Sequence, residues 1–237
     1  MKQPVHSIVR KAAIFAGILV CLNCADCNDV PVEQVAQRYV YFVNGTNNLD
    51  TARAELASGQ EVVTIPGNVA FGNMSAKHMF VRNGTAMQAR VHGVSKAWTG
   101  TSASSIIGTL NLVVSTSIPG ANAVDLHPIA GGPTPVLAIV RDRGAAMDVY
   151  VTAPGANLAT LTKDATLTKL GIIERMPISA LHANTAFQVR LTDAGTKNVV
   201  VDFAPNAGLP EWNFHLLMAV HTNNNLVTGG FTINTRP

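Results

Sequence analysis

Apolar and polar positions alternate along most of this chain, and the alternation is clearest in two segments one hundred positions apart. Asn83-Gly84-Thr85-Ala86-Met87-Gln88-Ala89-Arg90-Val91 returns as Ala183-Asn184-Thr185-Ala186-Phe187-Gln188-Val189-Arg190-Leu191. In both, Gln and Arg fall between apolar residues. Side chains of a strand point alternately to opposite faces, so the pattern predicts a half-buried strand entered from an Asn/Gly turn. Register then puts Met87, Ala89 and Val91 in one core and Phe187, Val189 and Leu191 in another, with the Gln and Arg residues on the opposite face. A repeat this long marks a duplicated domain.

The same period predicts further strands. Arg38 to Val43 is aromatic and β-branched and stops at Asn44-Gly45. Glu61 to Ile65 ends at Pro66-Gly67, and His78 to Arg82 leads into the first repeat. Gly93 to Ser105, rich in Gly, Ser and Thr around Trp98, reads as a mobile loop before strands at Ile106–Ser115 and Ala123–Ile129. The second half offers Val136–Val140, Met147–Thr152, Asn198–Phe203 and a closing hairpin, Trp212–His221 with Leu226–Ile233. Gly131-Gly132-Pro133-Thr134-Pro135 reads as the linker, stiffened by two prolines. No segment has a sustained 3.6-residue stripe. The expected fold is all-β: two consecutive antiparallel β-sandwiches, residues 38–130 and 136–237, joined by residues 131–135.

Residues 1–27 follow another pattern. Lys2, Arg10 and Lys11 precede an apolar run from Ala12 to Leu22, too short to span a bilayer comfortably, after which the chain turns polar. This is the signature of a secretory signal peptide. The expected location is therefore outside the cytoplasm: periplasm, outer-membrane surface or extracellular space. All three cysteines, Cys21, Cys24 and Cys27, lie at the end of this leader. Their spacing could suggest a metal site, but no fourth ligand lies nearby. Lipid acylation of Cys24 or Cys27 is the better expectation, although Asn23 and Asp26, not small apolar residues, precede them. No cysteine follows Cys27, so the sandwiches must hold by packing alone.

The net charge of +3 largely belongs to the leader. Beyond residue 27 there remain 14 basic and 13 acidic residues, with no basic cluster to neutralise successive phosphates. Nucleic acid is not an expected partner, and membrane contact is expected only through the leader or a lipid anchor.

Asn68-Val69-Ala70-Phe71-Gly72-Asn73-Met74-Ser75, followed by Asn83-Gly84-Thr85 and the strand ending in Arg90-Val91, resembles the signature of the DUF4397 family. Met147 to Thr152 resembles that family's early strand, and Phe187 to Lys197 its later hairpin. The resemblance spans nearly all of the mature chain in two copies. It implies exported bacterial proteins with immunoglobulin-like sandwiches and no established activity. In the first copy Leu49–Leu56, which could form a helical turn, stands in place of the Met147–Thr152 strand. In the second copy Lys169-Leu170-Gly171 replaces Ala70-Phe71-Gly72.

Chemistry is sparse. There is no Gly-x-Ser-x-Gly elbow, phosphate-binding loop, His-Glu-x-x-His pair or EF-hand loop. His215 and His221 share a strand face but lie too far apart for one metal ion, and read as edge or turn histidines. Asp142 and Asp148, beside Arg141 and Arg143, could bind calcium but read as a solvated charge cluster. Arg90 and Arg190 could grip an anion, but a cross-strand structural role fits better. Three Asn-x-Ser/Thr sequons begin at Asn44, Asn73 and Asn83, each at an expected turn. The expectation is a non-enzymatic envelope or extracellular protein with a structural or interaction role. It should have no cofactor, no metal and no catalytic residue, and its partner is an envelope or extracellular molecule of unknown identity. A carbohydrate- or surface-ligand-binding pair, using Trp98 and Trp212 as platforms, is the alternative. A hydrolase built from His78 or His92 and Ser102–Ser105 ranks last.

Overall fold

The computed structural model describes residues 37–46, 51–81, 86–95, 98–177, 185–222 and 225–236. The leader, the three cysteines and the Asn83-Gly84 turn lie outside the described residues. Among those described, the only helical element is a 3₁₀ turn at Leu158–Thr160, capped by the Asn157 side chain. The all-β expectation holds.

The first half contains β1 (Gln37–Gly45), β2 (Thr51–Ser58), β3 (Glu61–Thr64), β4 (Val69–Ala70) and β5 (His78–Val81). It continues with β6 (Ala86–Gly93), β7 (Thr99–Thr101), β8 (Ser105–Ile106), β9 (Leu110–Ile118) and β10 (Ala121–Ile129). The second half has β11 (Val136–Arg141), β12 (Met147–Thr152), β13 (Ala165–Leu167) and β14 (Glu174–Pro177). Then follow β15 (Gln188–Asp193), β16 (Val199–Asp202), β17 (Asn213–Thr222) and β18 (Asn225–Asn234). Two readings change. Thr51–Leu56 is strand, not a helical turn, because its alternating Ala52, Ala54 and Leu56 are fully buried. The Gly93–Ser105 segment is not simply a loop: β7 and β8 both pair with β6, which satisfies backbone groups that a loop would leave to water.

Each half stacks two sheets, and the two halves match strand for strand. One sheet runs β10-β9-β1-β5 and its counterpart β18-β17-β11-β14; the other runs β3-β2-β6-β7 and its counterpart β13-β12-β15-β16. All the pairings are antiparallel except one in each half, β1 with β9 and β11 with β17, which run parallel. The correspondence reaches single residues. Val91 sits opposite Ala54 and Leu191 opposite Val149, so β2 takes the place of β12 despite its different sequence. Gly72 and Gly171 both adopt a left-handed φ and donate their N–H to the carbonyls of Asn44 and Arg141, each at 2.8 Å. Asn44 and Arg141 are both buried at the ends of their strands. The Asn44 amide bonds Val69 O and the Arg141 guanidinium bonds Leu167 O, so different side chains perform one tether.

Three apolar cores result. The first joins Val40 and Phe42 with Ala54, Leu56, Met87, Ala89, Val91 and Val113. The second joins Leu137 and Ile139 with Val149, Phe187, Val189, Leu191 and Leu217. The predicted register is therefore correct: Met87 and Phe187 are buried while Gln88 and Gln188 are partly exposed. The third core lies between the halves, where Val43, Leu112 and Val114 meet Val140, Leu216, Met218 and Val220. Strands β1, β9, β11 and β17 thus carry apolar residues on both faces. This is why Leu112–Val114 and Leu216–Val220 read as continuous apolar runs and not as clean alternation.

Candidate functional site

The ends of β1, β9, β10 and β18 converge on a cavity of about 520 Å³. Tyr39, Leu110 and Ile129 come to it from the first half, and Trp212, Asn234, Thr235 and Arg236 from the second, with Lys77 at the side. Among the described residues no carboxylate lines it, and Lys77 and Arg236 give it positive charge. The Lys77 ammonium lies 4.1 Å from the centre of the Tyr39 ring, a cation–π contact.

Trp212 sits immediately before β17 with φ of 64°, the only non-glycine residue with positive φ among the described residues. Such a backbone costs about 1–3 kcal/mol and persists only where its surroundings fix it. Here they do. Thr235 donates to the Trp212 carbonyl from both its N–H, at 2.6 Å, and its hydroxyl, at 2.9 Å, while Trp212 N–H donates to Pro133 O at 3.3 Å. The chain reversal that this conformation produces brings the Trp212 side chain to the cavity wall, half-buried. The cleft brings two aromatic rings, an amide, a hydroxyl and two cations together, groups that can contact a ring-bearing or anionic molecule. Tyr39 is 173 positions from Trp212, and the packing of the two halves brings both to the cavity wall, so no local sequence pattern marks the pair.

The other residues singled out from sequence are placed as follows. Trp98 is no platform: it is half-buried against the first core, where it lies over Gly100. The cluster around Asp142 and Asp148 is not solvated, since Arg141, Asp142 and Asp148 are all at least 98% buried. Arg141 Nη1 donates to the carbonyls of Arg143, Gly144 and Ala145. Asp142 accepts from the His221 backbone N–H and lies 2.7 Å from its Nδ1. Asp148 accepts from Lys163 Nζ, Thr166 Oγ1 and Gly195 N–H at 2.6–2.8 Å. These bonds, led by the one from Lys163, lower the Asp148 pKa to about 2. Both carboxylates are thus occupied as structural acceptors, and among the described residues no three His, Cys, Asp or Glu side chains gather as a metal site.

His215 is not an edge histidine. It is buried in β17, between β11 and β18, with Nδ1 2.8 Å from Thr232 Oγ1, and burial lowers its pKa. Arg190 is buried too, and donates across the strand pair to Thr152 Oγ1 at 2.8 Å, as the structural reading expected. Arg90 occupies the matching place opposite Glu55, far along a different sheet, so the two arginines do not converge. The Ser102 hydroxyl receives the Ala89 N–H and donates to Ala103 O, while the His92 ring faces Thr99 and Glu55. The structure therefore does not join these groups into a nucleophile–base pair. The Asn44 side chain is fully buried and bonded, Asn73 is exposed, and Asn83 lies outside the described residues. Cys24 and Cys27, the expected lipidation sites, lie outside them as well.

No family model and no curated protein matches this chain. Among solved structures it is similar to a candidate cell adhesion protein from Bacteroides uniformis. That likeness has a TM-score of 0.29 and 9% identity, and covers 87% of this chain and 100% of the other. At that level it adds nothing to the reading of the site. Among the described residues no helix is long and apolar enough to cross a membrane.

Proposed function

We propose that this is an exported, non-enzymatic binding protein that holds its ligand in the cleft between the two halves. Export is supported by the leader pattern of residues 1–27, and the envelope setting by the resemblance to DUF4397. The cleft reading rests on one observation: a tryptophan held in a left-handed backbone conformation at the wall of a cationic, aromatic cavity. An Asn or Gly would adopt that backbone at lower cost, so the strain is retained for what the indole side chain supplies. The chemistry of the wall favours an anionic, ring-bearing ligand, and an acidic saccharide fits both the aromatic and the cationic elements.

Tryptophan fluorescence tests this directly, because the chain has two tryptophans and only Trp212 faces the cleft. In a Trp98→Phe background, acidic oligosaccharides should perturb the emission, and Trp212→Asn in the otherwise unaltered chain, which tolerates the same backbone, should abolish the binding that titration calorimetry measures. If neither acidic nor neutral oligosaccharides nor acidic peptides bind in a Trp212-dependent way, the cleft is not the site. Mass spectrometry of the mature N-terminus separately tests export, and lipid at Cys24 or Cys27 would show as added acyl mass.

A further inference from the structure

We propose that the chain pairs with a second copy of itself through β18, strand against antiparallel strand, making one continuous eight-stranded sheet across the dimer. β18 ends its sheet: β17 lies on one side and no described strand on the other. It runs for ten residues, whereas the edge strands β3, β5, β7, β13, β14 and β16 have only three or four. A long bare edge offers a row of unpaired backbone donors and acceptors. Proteins that stay monomeric usually guard such an edge with charge, proline or a covering segment.

The counterpart strand β10 has all three guards. It carries Asp125, His127 and Pro128, and the segment before and within β14 covers it. Ile173 N–H donates to Asp125 Oδ2 at 2.9 Å, and Arg175 donates to His127 Nε2 and to the Pro128 carbonyl. Among the described residues β18 has none of them. Asn225-Leu226-Val227-Thr228-Gly229-Gly230-Phe231-Thr232-Ile233-Asn234 contains neither a charge nor a proline. Two halves with one topology thus differ in whether this edge is protected.

The strand is also complementary to itself. A two-fold axis normal to the sheet keeps each row of side chains on its own face, which requires paired positions whose numbers sum to an even value. Centring the axis on Gly230 sets Thr228 opposite Thr232, Val227 opposite Ile233 and Gly229 opposite Phe231 of the second copy. Matched β-branched pairs are the contacts that stabilise sheets, and an aromatic across from a glycine offsets that glycine's weakness. The row Val227, Phe231, Ile233 already packs against the third core, so the dimer extends an existing apolar surface. Gly229 and Gly230 leave the middle of the edge bare for close backbone approach.

Two measurements on the purified chain test this. Sedimentation equilibrium should show a reversible monomer–dimer system. Hydrogen exchange should show amides of residues 225–234 becoming protected as protein concentration rises, without comparable change elsewhere. Leu226 and Thr228 are exposed, so Leu226→Lys with Thr228→Lys should fold normally by circular dichroism. Charged side chains on an edge strand oppose the addition of another strand, so these lysines, two in each copy, should weaken dimerisation by roughly a hundredfold. A monomer at every concentration, or a dimer whose exchange in 225–234 does not depend on concentration, overturns the proposal. The exchange comparison uses the unaltered chain and stands even if the double variant fails to fold. Ligand binding in the cleft is read separately through Trp212, so either result can fail without the other.

Discussion

Phe187 and Gln188 are neighbours with opposite fates: Phe187 is fully buried in the second core, while Gln188 is partly exposed and bonds Gly155 N–H and Asp202. Phe187→Ala should cost about 3–5 kcal/mol in urea denaturation, and Gln188→Ala no more than about 1 kcal/mol. Equal losses would overturn the register. Asp148 makes a prediction in pH. Its pKa is lowered from the ordinary 3.8 to about 2, so its stabilising effect is complete above pH 3.8 and disappears as pH falls through about 2. Asp148→Asn should therefore lower the urea midpoint at neutral pH, and the gap to the unaltered protein should close as pH approaches 2. A gap of constant size would mean that the Asp148 charge contributes nothing. Period two was enough to locate Phe187 from sequence. It could not show that Asp142 and Asp148 are buried, because their partners, His221 and Gly195, are 79 and 47 positions away.

At the scale of elements, turn glycines align the two copies where sequence identity does not. Gly72 and Gly171 share a left-handed φ and an N–H bond to the same strand end, although the residues before them differ completely. Gly171 is the more constrained. A Cβ added there would come 2.3 Å from Ala123 Cβ and 3.1 Å from Ile118 Cγ2, across the contact between halves, whereas one at Gly72 would meet nothing within 4 Å. Gly171→Ala should therefore lower the thermal midpoint clearly more than Gly72→Ala, which carries only the conformational cost of about 1 kcal/mol. Comparable shifts would show that β10 yields easily. Strand positions were largely legible, since alternation marks every long strand that has one wet face. β2 was harder to read: its Thr-Ala-Arg-Ala-Glu-Leu sequence has strong helix formers, and tertiary pairing with β6 decides against them. β7 was hidden because Thr-Gly-Thr gives no apolar signal, and only its pairing with β6 makes it a strand.

At the scale of the molecule, the decisive feature is a core that belongs to neither half. Strands β1, β9, β11 and β17 turn one apolar face into their own sandwich and the other towards the opposite half. The apolar runs Leu112–Val114 and Leu216–Val220 carry this information, but a run does not say which second surface covers it. The cleft at Trp212 depends on the same core, since its walls come from both halves. A protein so built should unfold as one unit. Trp98 reports on the first half and Trp212 on the second, so Trp212→Phe and Trp98→Phe variants let fluorescence follow each half alone. The two urea transitions should coincide, as a two-state protein requires. Leu216 is fully buried in the shared core. Leu216→Ala should cost about 2–5 kcal/mol, and the loss should appear in both signals, although Leu216 belongs to the second half. If the Trp98 transition stays in place while the Trp212 transition moves, the halves are energetically independent, and the third core is a contact without coupling.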